Sequence, residues 1–239
     1  VSLYRDVGVV LRTYKLGESD RIVVLCTQGR GKVRAVAKGV RKTSSRFGSR
    51  LEPTSHVIVQ MYEGRGELHV VSQAELVETN DALRTDLDKL SRAAALLEAV
   101  DQVSQEGEAN AQLYEMLIGG LRAVAAWDSP LVTPAFFLKL LAAEGVGLQV
   151  EGCIECGAVD DLVALDLDGG GLRCSAHREG TAVTPQAVLI LQLILGGHTT
   201  RALGLPVGPA TFEVDHLASV ALERHVDRRL RALRVLDGG

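Results

Sequence analysis

Three of the chain's four cysteines fall in one stretch, "GCIECGAVDDLVALDLDGGGLRCSAHREG", as Cys153-x-x-Cys156 and, 17 residues further on, Cys174-x-x-His177. Two pairs of soft donors at the two ends of a short hairpin can close a tetrahedral thiolate–imidazole shell around zinc. The hairpin is predicted from "LVALDL" and "LRC" flanking the turn "DGGG". Gly157, directly after the second cysteine, permits the left-handed backbone that turns main-chain N–H groups toward thiolates. Because four protein ligands leave no position for water, the spacing predicts one structural zinc held by Cys153, Cys156, Cys174 and His177.

Catalytic patterns fail one by one. His177-Arg178-Glu179 matches the His-x-Glu of zinc deaminases, but there it precedes a Pro-Cys-x-x-Cys, and here the order is reversed and the proline missing. "GRGK" at 29–32 lacks both the first glycine of a phosphate loop, where Cys26 stands, and its Ser/Thr, where Val33 stands. No G-x-S-x-G occurs. The chain is therefore expected not to be an enzyme. Cys26 ends an apolar run and reads as a core thiol.

The second chemical signal is charge. Residues 1–80 hold 13 Lys/Arg against 8 Asp/Glu, although the whole chain is net −4. Nine cations (Arg21, Arg30, Lys32, Arg34, Lys38, Arg41, Lys42, Arg46 and Arg50) follow one another without an intervening acid. Such asymmetry points to a polyanion-binding module joined to something else. Ser44, Ser45 and Ser49 add hydrogen-bonding capacity for phosphate, and Phe47 can either stack on a base or anchor the loop. With aromatics at only 4%, stacking platforms are few and binding is expected to be mainly electrostatic.

These residues need elements to hold them. "VGVVLRTYKL", "RIVVLCT", "KVRAVAKG", "HVIVQMY" and "LHVVSQAEL", split by glycine-containing turns, predict a five-stranded antiparallel barrel. In the third run Val33, Ala35 and Ala37 alternate with Lys32, Arg34 and Lys38, so three cations share a face. That arrangement is how an OB-fold tracks a phosphate backbone.

From Asp81 the period becomes helical: "DALRTDLDKLSRAAALLEAVDQVSQ", then "NAQLYEMLIGGLRAVAAW" capped by Asn110. Next come "TPAFFLKLLAAEG" with Thr133 as cap, "TPQAVLILQLILGG", and a last helix from about Thr211 to Leu236 carrying Arg224, Arg228, Arg229, Arg231 and Arg234. Those arginines suit the negative end of a helix dipole. The expected fold is α+β: an N-terminal OB-fold barrel over residues 1–80, then a helical domain over 81–239 with a zinc-ribbon-like hairpin at about 150–180. No apolar run reaches the ~20 residues of a membrane span, and "VSLYRDVGVV" lacks a signal peptide's layout. A cytoplasmic, nucleoid-associated protein is expected.

"LYRDVGVVLRTYKLGESDRIVVL" and "GVRKTSSRFGSRLEP" resemble the N-terminal domain of the bacterial recombination mediator RecO, and the likeness continues through "FFLKLLAAEG" into the Cys-x-x-Cys hairpin. Zinc-bearing members generally place Cys where this chain has His177, itself a competent ligand. The resemblance implies binding of ssDNA and dsDNA, annealing of complementary strands and, with RecR, loading of RecA onto SSB-coated strands. It also implies a receptor for the acidic, apolar-ended SSB C-terminal tail, for which Arg122 and Lys139 are the candidates. The rival reading is an OB/zinc protein that binds structured RNA.

Overall fold

The computed structural model describes residues 2–43, 45, 47–64, 66, 68–78 and 80–232. By its internal contacts the chain divides into two compact units, residues 1–126 with 230–239, and residues 127–229.

In the first unit, β1 (Leu3–Leu16), β2 (Asp20–Thr27), β3 (Gly31–Ala37), β4 (His56–Tyr62) and β5 (Leu68–Glu78) form a closed barrel in the order β1-β2-β3-β5-β4. Every pairing is antiparallel except β3 with β5. β1 begins four residues before the predicted run because closure requires one strand to serve two partners. Leu3–Val9 pairs with β4, and the stretch from Gly8 to Leu16 pairs with β2. The core holds Val10, Val23, Leu25, Val33, Ala35, Ala37, Val57, Val59, Met61 and Val71.

Two further residues of that core, Phe47 and Leu51, come from the basic loop. Phe47 is 1% exposed. Of its two open roles, the structure selects the anchor.

Among the described residues three helices complete this unit: α1 (Asp81–Arg84), α2 (Leu87–Val103) and α3 (Ala111–Ala126). The predicted first helix is broken at Asp86, whose carboxylate accepts the N–H groups of Asp88 and Lys89 at 2.9 and 3.1 Å. An aspartate satisfies orphan amides better at a helix start than inside one. Asn110 caps α3 as expected, accepting from Leu113 N–H at 2.9 Å.

The second unit holds α4 (Val132–Ala143), α5 (Pro185–Leu195), α6 (Thr199–Leu203) and α7 (Pro209–His225), with a small sheet of β6 (Leu162–Asp166), β7 (Gly171–Cys174) and β8 (Thr181–Ala182). The sheet order is β7-β6-β8. Thr133 does not cap α4. The helix starts before it, Ser129 takes the Leu131 and Val132 amides at 3.4 Å, and Thr133 is buried inside the first turn. Thr184 does cap α5, accepting from Ala187 N–H at 3.2 Å.

α7 stops at His225, well short of Leu236. Asp227 adopts a left-handed conformation, φ 48°, and Arg228 N–H reaches back to the Glu223 carbonyl at 3.1 Å, which closes the helix as a glycine C-cap would. Arg228, Arg229 and Arg231 therefore lie beyond the helix, and Arg234 lies outside the described residues. Among the described residues no helix is long and apolar enough to cross a membrane.

Candidate metal centre and nucleic-acid face

The hairpin of β6 and β7 brings the four predicted ligands together. Cys153 and Cys156 sit on the turn before β6, Cys174 ends β7, and His177 closes the single 3-10 turn of Ser175–His177. Their donor atoms all lie within 4.8 Å of one another. Cys156 Sγ is 3.8 Å from Cys174 Sγ, and His177 Nδ1 is 3.4 Å from Cys174 Sγ and 3.9 Å from Cys153 Sγ. A tetrahedron with metal–sulfur bonds of about 2.3 Å has edges of about 3.8 Å. The donors are thus spaced as ligands of one ion, and the group can hold a metal.

The local backbone is built for thiolates. Gly157 has φ +75°, its N–H bonds the Cys153 carbonyl at 2.8 Å, and Cys153 N–H bonds the Ala158 carbonyl at 2.8 Å. Main-chain N–H groups of Cys174, Cys156 and Glu155 reach Cys153 and pull its thiol down to about 6. Cys174 is lowered by the His177 ring and then by Ala176 N–H, and the two thiols in turn raise His177. Cys156 accepts from Ala158 N–H yet is pushed up by desolvation and its thiol neighbours. Three thiols sharing one small volume cannot all ionise without a cation between them.

Arg173 staples the ribbon. Its guanidinium meets Asp166 at 2.9 Å, Glu155 at 3.3 Å and Glu179 at 3.7 Å. Glu179, the residue a deaminase would need as proton carrier, is 78% exposed and leans on this arginine.

In the barrel unit the nine predicted cations separate by partner. Arg21 pairs with Glu52 (2.7 Å), Arg30 with Glu63 (3.3 Å) and Arg34 with Glu106 (3.6 Å), all partly in water. Arg30 also lies 3.9 Å over the Tyr4 ring. Lys32 is held by Asp101, a residue only 4% exposed. Lys38, Arg41 and Lys42 are exposed and make no ion pair among the described residues. Arg50 reaches the Phe47 carbonyl at 3.5 Å. Arg46, like Ser44, lies outside the described residues.

The described ends of the loop carrying these charges are tied to the barrel strands. Asp20 accepts Gly39 N–H at 2.7 Å, which together with Ser19 lowers its carboxyl, and the nearby Lys38 and Lys42 add to that. Arg41 N–H bonds the Ser19 carbonyl at 3.0 Å, and Thr54 N–H the Val10 carbonyl at 3.0 Å. Phe47 and Leu51 plug the barrel between those ties.

Of the two candidates for an SSB-tail receptor, Arg122 is exposed on α3 and meets Glu78 at 3.2 Å. Beside it Gly119 opens onto free space. Lys139 lies on α4, where its neighbours Leu138 and Leu140 are core residues, 1% and 0% exposed. They offer no groove. Sequence reasoning also passed over Tyr14 and Tyr62, each 42% exposed on the barrel.

A small closed barrel followed by helices and a ribbon whose four donors can hold a metal defines a protein of the OB-barrel type. The family comparisons are specific. Residues 1–80 match the model for the recombination protein O N-terminal region, and residues 84–234 that for its C-terminal region. The chain is 40% identical to a DNA repair protein RecO of Frankia casuarinae, covering 98% of both chains. It is 38% identical to that of Streptomyces griseus over 99% of this chain and all of the relative, and 40% to that of a Nocardioides species over 98% and 99%. The chain belongs to the RecO family of DNA repair proteins.

Proposed function

We propose that this chain is a recombination mediator. It binds ssDNA and dsDNA without sequence preference, anneals complementary strands and, with RecR, helps load RecA onto SSB-coated ssDNA. The observation that carries the reading is the loop after β3, where Lys38, Arg41 and Lys42 stand in water and Phe47 and Leu51 pin the chain into the barrel core. Residues 1–80 act as the nucleic-acid-binding domain. Lys38, Arg41 and Lys42, with Arg46 and Arg50, make the main phosphate contacts. Arg21, Arg30 and Arg34 exchange their surface carboxylates for phosphate, since half-solvated pairs are worth only about 0–1 kcal/mol. Lys32 acts by fixing its strand.

The metal is zinc and its role structural. The donor set of three thiols and one imidazole selects zinc among common divalent ions. Four protein donors leave no place for an attacking water, and the site belongs to a staple rather than a reaction. Annealing then needs no nucleotide hydrolysis by this chain. Phosphate repulsion between two strands is screened by the cationic loop while their bases stay free to pair. Of the two candidate cations for the SSB tail, Arg122, exposed on α3, is the one that receives it; Lys139 is half-buried between core leucines. The protein works in the cytoplasm at the nucleoid.

The test is strand annealing of complementary oligonucleotides, bare and SSB-coated, without ATP. Acceleration in both settings is expected for the wild type, and its loss when Lys38, Arg41 and Lys42 are reversed to Glu. Annealing at the spontaneous rate in both settings would end the mediator reading.

A further inference from the structure

Tracing the barrel's pairing across the strands picks out one row of side chains. Tyr14 is opposite Ile22, Ile22 opposite Val36, Val36 opposite Val70, and Val70 opposite Tyr62. Their sequence neighbours Val23, Ala35, Ala37, Met61 and Val71 belong to the barrel core. Because successive residues of a strand point to opposite faces, the row lies on the outside. It crosses all five strands as an apolar track with a half-exposed tyrosine at each end.

The chain's four tyrosines divide sharply. Tyr4 and Tyr114 are hydrogen-bonded, to His69 at 3.0 Å and His56 at 2.7 Å, and Tyr4 packs against the core. Tyr14 and Tyr62 show neither hydroxyl bond nor core packing among the described residues and stand in the same row. One register step to one side runs Arg12–Val24–Arg34. On the other side lie Asp20, the first residue of β2, and, in the turn after β3, the cations Lys38, Arg41 and Lys42. Arg12 itself stacks over the Tyr14 ring at 4.9 Å.

An aromatic and aliphatic track with the exposed cations Lys38, Arg41 and Lys42 on one side, and on the other Arg12 and Arg34 paired with Asp101 and Glu106, has the complementarity of one nucleic-acid strand, with bases on the track and phosphates on the exposed cations. A protein segment would be met by hydrogen-bonding edges or a closed groove. Here the strands are paired all round, the two end tyrosines are exposed and the three aliphatic residues between them are half-buried. A duplex keeps its π-faces stacked and cannot use the tyrosines. We propose that the row Tyr14–Ile22–Val36–Val70–Tyr62 is a base-stacking track for single-stranded nucleic acid. This deepens the mediator reading and rests on it. With only two rings, a few bases are held at a time and the rest stay free to pair, which is compatible with annealing.

The experiment is fluorescence anisotropy with three probes of equal length: oligo(dT), an abasic strand and a duplex. Tyr14→Ala is expected to weaken oligo(dT) binding about tenfold, within the range seen for losing one base–aromatic stack. Binding of the abasic strand and the duplex should stay within about twofold of wild type, and Tyr14→Phe should restore oligo(dT) binding. Tyr62→Ala should behave like Tyr14→Ala, and unchanged thermal melting shows that either variant is folded. Equal loss on all three probes, or no loss on oligo(dT), overturns the track; the latter also leaves the row free for a protein partner. If Lys38→Glu/Arg41→Glu weakens all three probes while Tyr14→Ala weakens none, the mediator reading stands and the track falls. If wild type binds none of them, both fall.

Discussion

Lys32 Nζ donates to the main-chain carbonyl of Asp101 at 2.7 Å and lies 3.6 Å from its carboxylate, which Arg12 grips at 3.0 Å. Asp101 Oδ1 has no hydrogen-bond partner among the described residues, so the charges of Lys32 and Arg12 together compensate the burial of the carboxylate. The contact ties β3 and β1 to the end of α2. One basic residue of the strand is thus structural. Removing one partner of a buried pair typically costs about 3–5 kcal/mol because the other charge is stranded. Asp101→Ala should lose an amount of that order in urea unfolding, and Lys32→Ala should lose more stability than DNA affinity. A Lys32→Ala protein of native stability with much weaker DNA binding would reverse this assignment.

Phe47 is the loop's anchor. Phe47→Ala should destabilise the barrel unit by about 3–5 kcal/mol, the usual cost of emptying a phenylalanine site in a core. Phe47→Leu should recover most of that, and its DNA affinity should match wild type. A base-stacking role would instead show as lost affinity in Phe47→Leu at unchanged stability.

The exposed cations set the salt dependence. Each phosphate contact contributes about −0.7 to the slope of log K against log salt on single strands and about −0.9 on duplex. Reversing Lys38, Arg41 and Lys42 to Glu should flatten the single-strand slope by about 2 and weaken all sequences alike. Should Arg228→Glu/Arg231→Glu flatten it further than this triple variant, the phosphate-binding surface lies elsewhere.

Histidine makes the barrel unit acid-sensitive. Burial, and secondarily Arg122, lowers His56 below its ordinary 6.5 against the pull of Glu78; burial and then Arg30 lower His69. The fold therefore favours neutral rings. Their stabilising contribution is complete above about pH 6.5 and is lost as pH falls below that toward the folded-state values. Melting temperature should drop between pH 7.5 and 5, and His56→Gln should show a shallower drop from a lower start. A steeper drop in the variant would contradict the sign.

Metal content is the plainest measurement. Purified protein should carry about one zinc per chain by mass spectrometry. Cys153→Ser should release it and expose the amides of residues 150–180 to hydrogen exchange while the barrel amides stay protected. Structural zinc sites in small fingers are worth about 10–16 kcal/mol, although a ribbon already supported by Arg173 realises less.

Much of this was local enough to read from the residues. Strand alternation in "KVRAVAK" and the glycine turns gave the barrel, since a period of two with punctuation has few other solutions. The metal group was equally legible, because ligand spacing and Gly157 act within one hairpin. Helix ends were less so. Thr133 is not a cap because α4 begins before it, with Leu131 at the cap position, and α7 ended on a left-handed Asp227; where a helix starts and stops is chosen by packing as well as by capping residues.

What tertiary structure alone decided concerns parity and partners. Strict alternation would put Arg12 and Tyr14 on the same face as the core residue Val10. A bulge between Val10 and Arg12 inserts one residue, so Arg12 falls opposite Val24 and Tyr14 opposite Ile22, both turned outward. One extra residue in a strand inverts every side chain beyond it, and nothing in the local sequence announces where it is placed. The cations are a similar case. Arg21, Arg30, Lys32 and Arg34 read identically to Lys38, Arg41 and Lys42, yet the carboxylates that claim the first four come from Glu52, Glu63, Asp101 and Glu106, which only the closed barrel and its packed helix bring within reach. Charge was written in the chain; which charge remains open to a ligand depended on distances that exist only after folding.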